Sequence, residues 1–198
     1  MCNTIAIFDF DGTITKDDTL WLFLKFSMGS FGFYWVLFKN SPLLFLSLLG
    51  LFPKGKAKEQ LLSSCFKGMT LFQFERLCNR FFETKKNIIR PEAREAIHYH
   101  FKNGSKVIIL TASPTNWVKP FATSLGISKV IGTELETDVK GKLTGRFSTK
   151  NCNGIEKVKR LNTEFPDLKD NFKIYAYGDS SGDKELLAFA DYPFFKKF

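Results

Sequence analysis

The chain has 198 residues, 44% of them hydrophobic and 25% charged, with a formal net charge of +9. That length fits one domain with a modest insertion, and the composition is ordinary for a globular protein. The basic balance suits phosphate-bearing partners or anionic lipid surfaces, but there is no dense Lys/Arg block and no zinc finger or other nucleic-acid module, so nucleic acid is not an expected partner.

The first element is a short apolar strand, residues 5–8, cut off by Asp9-Phe10-Asp11-Gly12-Thr13. No signal peptide is visible, which favours the cytoplasm and leaves attachment to the inner membrane face open. Side chains alternate along a strand, so Asp9 and Asp11 can face one way where it ends. Two carboxylates so close repel unless a cation sits between them, and hard oxygen ligands suit Mg²⁺. One carboxylate can then attack phosphorus while the other handles protons. The plainer alternative is an Asp-Gly turn after a strand.

Residues 16–90 hold no convincing strand and read as a helical insertion. The expected units are a core of residues 1–15 and 91–198 and a helical cap of residues 16–90. Residues 20–52 are strongly apolar, with Lys39, Asn40, Ser41 and Pro42 expected to interrupt them. Buried cap helices, an interfacial segment and a membrane pass are the three readings, the pass being the weakest because the uninterrupted pieces are short. The interfacial reading covers residues 31–58, where Lys54, Lys56 and Lys58 would meet lipid phosphates. Asp17 and Asp18 either cap the helix starting near Thr19 or, in the case of Asp18, sense the leaving group. Thr70 and Gln73 fit a capping box, with an amphipathic stripe behind them.

Pro91 starts a helix ending at Asn103-Gly104. A second apolar strand, residues 106–110, ends at Thr111. The Thr111 hydroxyl and the backbone N–H of Ala112 can hold phosphate oxygens beside a helix start, or Thr111 is a plain cap. Ser113-Pro114 is expected to open that helix. Residues 130–136 and 142–147 flank Lys140-Gly141 as a hairpin. Lys157, early in the next helix, can reach a phosphate as a point charge, with Lys150 and Lys159 as rivals. A third strand, residues 174–177, runs into Gly178-Asp179-Ser180-Ser181-Gly182-Asp183. Asp179 is placed for a metal and Asp183 to orient it or a ligating water, unless Asp179 or Ser181 merely caps a helix. Strands alternating with helices imply a parallel sheet covered by helices, an α/β fold. Cys2, Cys65, Cys78 and Cys152 lack Cys-x-x-Cys spacing and read as reduced thiols.

The order strand-Asp, strand-Thr, Lys, strand-Asp resembles the haloacid dehalogenase superfamily, nearest to its phosphoserine phosphatase-like subfamily IB. The likeness covers nearly the whole chain. It implies a Rossmann-like three-layer core with a small helical cap after the first strand, and a Mg²⁺-dependent phosphatase. Asp9 would be the nucleophile and Asp11 the acid, then base. The Asp9 carboxylate, the Asp11 backbone carbonyl and the Asp179 carboxylate would hold Mg²⁺, and Thr111 and Lys157 would bind the phosphoryl group. One departure stands out: phosphoserine phosphatase has its lysine immediately before the helix-opening glycine, where this chain has Asn153. The cap is also similar to that of phosphatidylglycerophosphatase C, which implies a lipid phosphate. A soluble metabolite phosphate, a phosphotransferase and an inactive binding module are the alternatives.

Overall fold

The computed structural model describes residues 3–198. Strand β1 (Asn3–Phe8) comes first, followed by the helical run α1 (Thr19–Leu48), α2 (Lys54–Phe66) and α3 (Leu71–Lys85). Helix α4 (Pro91–Lys102) leads into β2 (Lys106–Pro114), α5 (Thr115–Ser124) and β3 (Lys129–Thr133). A short pair, β4 (Leu135–Thr137) and β5 (Leu143–Phe147), precedes α6 (Ile155–Glu164), α7 (Leu168–Asn171) and β6 (Phe172–Gly178). Helix α8 (Lys184–Phe189) and β7 (Tyr192–Phe195) complete the order.

Five strands form one parallel sheet in the order β3-β2-β1-β6-β7. Its strands are apolar on both sides. In β1, Ala6 and Phe8 face one layer, and Ile5 and Ile7 the other. In β2, Val107 and Ile109 oppose Ile108 and Leu110 in the same way. Strands buried on both faces lose polar alternation, which is why they show as short unbroken apolar runs. Helices α4 and α5 cover one face through Ile97, Trp117, Val118 and Phe121. Helices α6, α7 and α8 cover the other through Leu161, Leu168 and Leu186. The result is the expected three-layer α/β arrangement. From β1 the chain passes to β2 on one side and later to β6 on the other, which opens a crevice at the carboxyl end of β1.

The chain segments before α1 and after α3 cross side by side. Thr15 pairs with Ile89, the Lys16 N–H donates to the Ile88 carbonyl at 2.9 Å, and the Arg90 N–H donates to the Ile14 carbonyl at 2.9 Å. Beyond that crossing, the buried ring of Phe23 packs on Phe66, Phe74, Phe81 and Trp117, tying α1, α2 and α3 to α5. The capping box at Thr70 and Gln73 forms as expected.

Three expectations need correction. The helix α1 is not interrupted at Lys39 to Pro42. Pro42 has no N–H for the Phe38 carbonyl, but the Ser41 hydroxyl donates to that carbonyl at 2.8 Å, so the helix passes through. The break falls instead at Gly29, whose φ of +67° takes it out of helical geometry. Strand β2 does not end at Thr111. It continues, with a register irregularity, until Pro114 pairs with Thr133, so Ser113 lies in a strand and α5 starts at Thr115. The hairpin is smaller than its pattern: β4 and β5 pair antiparallel, while residues 129–133 belong to the main sheet. Cys65, Cys78 and Cys152 are free thiols, and Cys2 lies outside the described residues.

Under the sheet, His100 is buried with Nε2 at 3.0 Å from the Tyr177 hydroxyl and rings of Phe8, Tyr175 and Tyr177 around it. Burial holds its pKa below the ordinary 6.5. The unfolded chain therefore takes up a proton first as pH falls, and His100 removes stability below its unfolded pKa while costing nothing well above it. We expect His100→Gln to flatten the acid side of the stability curve by up to about 1.4 kcal/mol per pH unit. Urea unfolding of both proteins across that range measures it, and equal slopes contradict it. The variant Phe23→Ala should lose about 3–5 kcal/mol in the same assay. A loss under 1 kcal/mol, on the order of a surface substitution, would show that Phe23 is not the hub.

Candidate active site

Asp9 is the first residue past β1, and its N–H donates to the Tyr177 carbonyl at 2.9 Å, adding a rung to the β1–β6 ladder. That bond sets its carboxylate at the carboxyl edge of the sheet. The chain then makes a wide turn over Phe10–Ile14. Gly12 has φ +77°, and a Cβ there would collide with the Asp179 carboxylate. Glycine thus serves both the turn and the close approach of the first and last motifs.

Lys157 rises from the first turn of α6 and is almost wholly buried. Its Nζ lies 2.6 Å from Asp9 Oδ1 and 2.5 Å from Asp183 Oδ1. The rivals lie elsewhere: Lys159 is exposed, and Lys150 lines a cleft of about 360 Å³ with Lys56 and Asn151. The other oxygen of Asp183 accepts from the Ser180 N–H at 3.1 Å, the Ser180 hydroxyl at 2.9 Å and the Asp179 N–H at 3.3 Å. With both oxygens engaged, Asp183 fixes Lys157 and the loop bearing Asp179. Asp179 itself is only half-buried, and its Oδ1 accepts a long bond from the Thr13 hydroxyl at 3.4 Å.

Asp9, Asp179 and Asp183 each offer a carboxylate oxygen within 4.8 Å of the others. Burial pushes the Asp9 carboxyl up to about 7, with Lys157 pulling it down and Asp183 and Asp11 pushing it further up. Burial and Asp183 raise Asp179 as well. Burial opposes the charge on Lys157, but Asp9 and Asp183 outweigh it and hold the ammonium above the ordinary lysine range. Burial likewise opposes ionisation of Asp183, but Lys157 and Ser180 outweigh it and keep that carboxylate low. The ammonium of Lys157 balances only part of the carboxylate charge. An all-oxygen donor set with surplus negative charge fits a hard divalent cation, Asp9 and Asp179 being the carboxylates with capacity to spare.

The Asp11 side chain turns away from that cluster. Its Oδ1 accepts from the Thr19 N–H at 2.7 Å and from the Thr19 hydroxyl, and its Oδ2 accepts from the Ser113 hydroxyl at 2.6 Å. The Thr19 hydroxyl in turn accepts from the Trp117 indole N–H at 3.1 Å. Thr111 is buried, its hydroxyl oxygen accepting from the Ser113 N–H at 3.0 Å. Asp18 is the N-cap of α1, its carboxylate accepting from the Leu20 N–H at 2.9 Å.

The structure also brings in a residue that sequence reasoning assigned elsewhere. Lys58 of α2 donates to the Ala112 carbonyl at 3.1 Å, and that carbonyl also accepts from the Thr133 hydroxyl at 2.7 Å. Burial holds the Lys58 ammonium below its ordinary range, while the facing carboxylates of Asp11, Asp18 and Asp9 push it back up. The run Lys54-Gly55-Lys56-Ala57-Lys58 was visible, but only the packing of α2 shows that its third lysine turns inward.

Residues 6–188 match the sequence profile of the haloacid dehalogenase-like hydrolases. Over 189 residues the chain is 37% identical to Protein CicA of Caulobacter vibrioides (strain NA1000 / CB15N), covering 94% of this chain and 83% of that protein. A crystal structure of a protein of unknown function from Bordetella pertussis Tohama I superposes with a TM-score of 0.83 at 22% identity, over 98% of this chain and 89% of the other. A phospho-aspartyl intermediate analogue of phosphoserine phosphatase superposes with a TM-score of 0.62 at 18% identity, over 96% and 84%. At such identities the two structures speak for the fold alone. With the profile matched along nearly its whole length, the chain belongs to the haloacid dehalogenase-like hydrolase family.

Proposed function

We propose that this protein is a Mg²⁺-dependent phosphatase that hydrolyses a phosphate monoester through an aspartyl-phosphate on Asp9. The observation that carries the reading is the buried contact of Lys157 with Asp9 Oδ1, which fixes one carboxylate oxygen and leaves Oδ2 to attack. Asp9 Oδ2 bonds to phosphorus in line with the departing ester oxygen, which takes a proton from Asp11. Asp11 then removes a proton from water, the water oxygen bonds to phosphorus, and the Asp9–phosphorus bond breaks to release phosphate. The Thr111 hydroxyl, the Ala112 N–H and the Lys157 ammonium bind the phosphoryl oxygens. Asp9, Asp179 and the Asp11 backbone carbonyl would hold Mg²⁺, which would supply positive charge against those oxygens. Asp183 orients Lys157 and the Asp179 loop. Thr19 and Ser113 aim the Asp11 carboxylate.

In this reading residues 16–90 are a cap over a core of residues 1–15 and 91–198. The paired crossing at Thr15 and Ile89 supports that division. Lys58, with Asp18 beside it, meets the leaving group from the cap side. A narrower reading takes the substrate as a lipid phosphate such as phosphatidylglycerophosphate. It is favoured by the outward-facing apolar side chains of residues 31–51.

The variant Asp9→Asn should lose at least about 10³-fold in turnover of a generic aryl phosphate. Wild-type activity should vanish on chelation of divalent cations and return with Mg²⁺. Undiminished turnover by Asp9→Asn sinks the mechanism. The variant Lys58→Ala should raise KM about tenfold with a smaller change in kcat, because it removes a contact made by substrate and transition state alike. A fall in kcat at constant KM would instead place Lys58 in the chemical step.

A further inference from the structure

The outer side of α1 is apolar where a helix that meets only water is polar. Beyond Gly29 its inward stripe holds Val36, Asn40 and Ser47, all buried, with Phe33, Leu37, Leu43 and Leu44 partly buried beside them. Asn40 is held there by polar bonds: its Nδ2 donates to the Val36 carbonyl at 2.8 Å, and the Ser64 hydroxyl of α2 donates to its Oδ1 at 3.3 Å. The outward side carries Phe31, Trp35, Phe38, Phe45 and Leu49, exposed by 87%, 60%, 71%, 62% and 57%. These positions, with Pro42 between Phe38 and Phe45, recur every three or four residues and share one face. A helix packed on a protein in water buries its apolar stripe and exposes its polar one. Single exposed apolar residues are ordinary, but a contiguous aromatic face marks a contact surface.

Charge says what covers that face. From Thr19 to Lys58 there are five lysines and no aspartate, glutamate or arginine. Lys25, Lys39 and Lys54 are exposed along this segment. A second copy packed on the same face would set lysines against lysines. An anionic headgroup layer meets them with opposite charge, while Trp and Phe favour the boundary between headgroups and acyl chains. A membrane-spanning role does not fit. The inner stripe is bonded to α2, whose Lys54, Lys56 and Glu59 would have to follow it into hydrocarbon.

We propose that residues 31–51 seat this protein on the surface of an anionic bilayer, with the second part of α1 lying in the plane of the interface. From Leu51 the chain passes through Pro53 into α2, whose Lys58 reaches the Ala112 carbonyl beside Thr111. Docking therefore sets the cap side of the site against the headgroup layer. One consequence rests on the phosphatase reading above: the ester is a lipid phosphate presented at that surface. The docking does not rest on it.

Flotation of the full chain with phosphatidylcholine vesicles, with and without phosphatidylglycerol, tests the proposal. Wild type should float with the phosphatidylglycerol vesicles and less with phosphatidylcholine alone. The double variant Trp35→Glu/Phe38→Glu should lose at least about tenfold in vesicle affinity. It should keep its thermal melt and its turnover of a soluble aryl phosphate, because both side chains are exposed and lie outside the site. Wild type that stays at the bottom of the gradient, or a variant that floats as well as wild type, overturns the proposal. A dimer in sedimentation velocity that the variant breaks, with no flotation, gives the face to a second copy and also overturns it. Flotation without turnover of the soluble ester would fail the phosphatase reading alone, and turnover without flotation would fail the docking alone.

Discussion

A buried lysine ammonium held between two carboxylates organises this molecule. Lys157 sits almost fully out of water between Asp9 and Asp183. An uncompensated charge in such a place costs several kcal/mol, so each member of the trio requires the others. The contact spans three pieces of chain that are far apart in sequence: the end of β1, the first turn of α6 and the loop after β6. It fixes the sheet edge on one side of Asp9. Yet it leaves the cluster with more negative than positive charge, and burial has already lifted Asp9 to about 7. The same arrangement that stabilises the edge therefore leaves a carboxylate cluster with room for a further cation.

Asp11 answers to a different set of partners. Its oxygens are held by Thr19, the first residue of α1, and by Ser113, near the end of β2. The link continues to Trp117 through the Thr19 hydroxyl. Asp9 is anchored to α6 and the β6 loop, while Asp11 is anchored to the start of α1 and the end of β2. Two carboxylates two residues apart thus acquire different surroundings, the condition that the division of roles proposed above requires. Of the two partners of Asp11, Thr19 belongs to α1 and Ser113 to the main sheet.

The parts of the fold legible in the sequence were those fixed by local pattern. Apolar runs ending in Asp or Gly gave β1 and β6, and the Thr70 and Gln73 pair gave the start of α3. Candidates for the sheet edge were legible because side-chain chemistry clusters at strand ends. The continuation of β2 past Thr111 was not, because it depends on pairing between Pro114 and Thr133 across an irregular register. The passage of α1 through Pro42 turned on one hydroxyl, that of Ser41, serving the orphaned Phe38 carbonyl. Lys157 could be separated from Lys159 only by the rotation of α6 about its axis. Lys58 was hidden for a similar reason: nothing local says that α2 lies over Ala112.

The apolar content of residues 20–52 was plain in the sequence, but its direction was not. Periodicity finds the faces of a helix without saying which one is inside. Buried packing, one of the three readings of this segment, holds for Phe23 and Leu24, but beyond Gly29 it holds for one face of the helix only. Moving a side chain such as Phe or Leu from water into an apolar setting is worth about 1.5–3 kcal/mol. Phe31, Trp35 and Phe38 forgo that gain in water alone. The inner side is already filled by Val36 and the partly buried Phe33, Leu37, Leu43 and Leu44, and the bonds of Asn40 to Val36 and Ser64 fix its register against α2. With the inside so fixed, the outside is free to be chosen for something other than water. Its residues are the ones that gain most at an apolar boundary lined with negative charge.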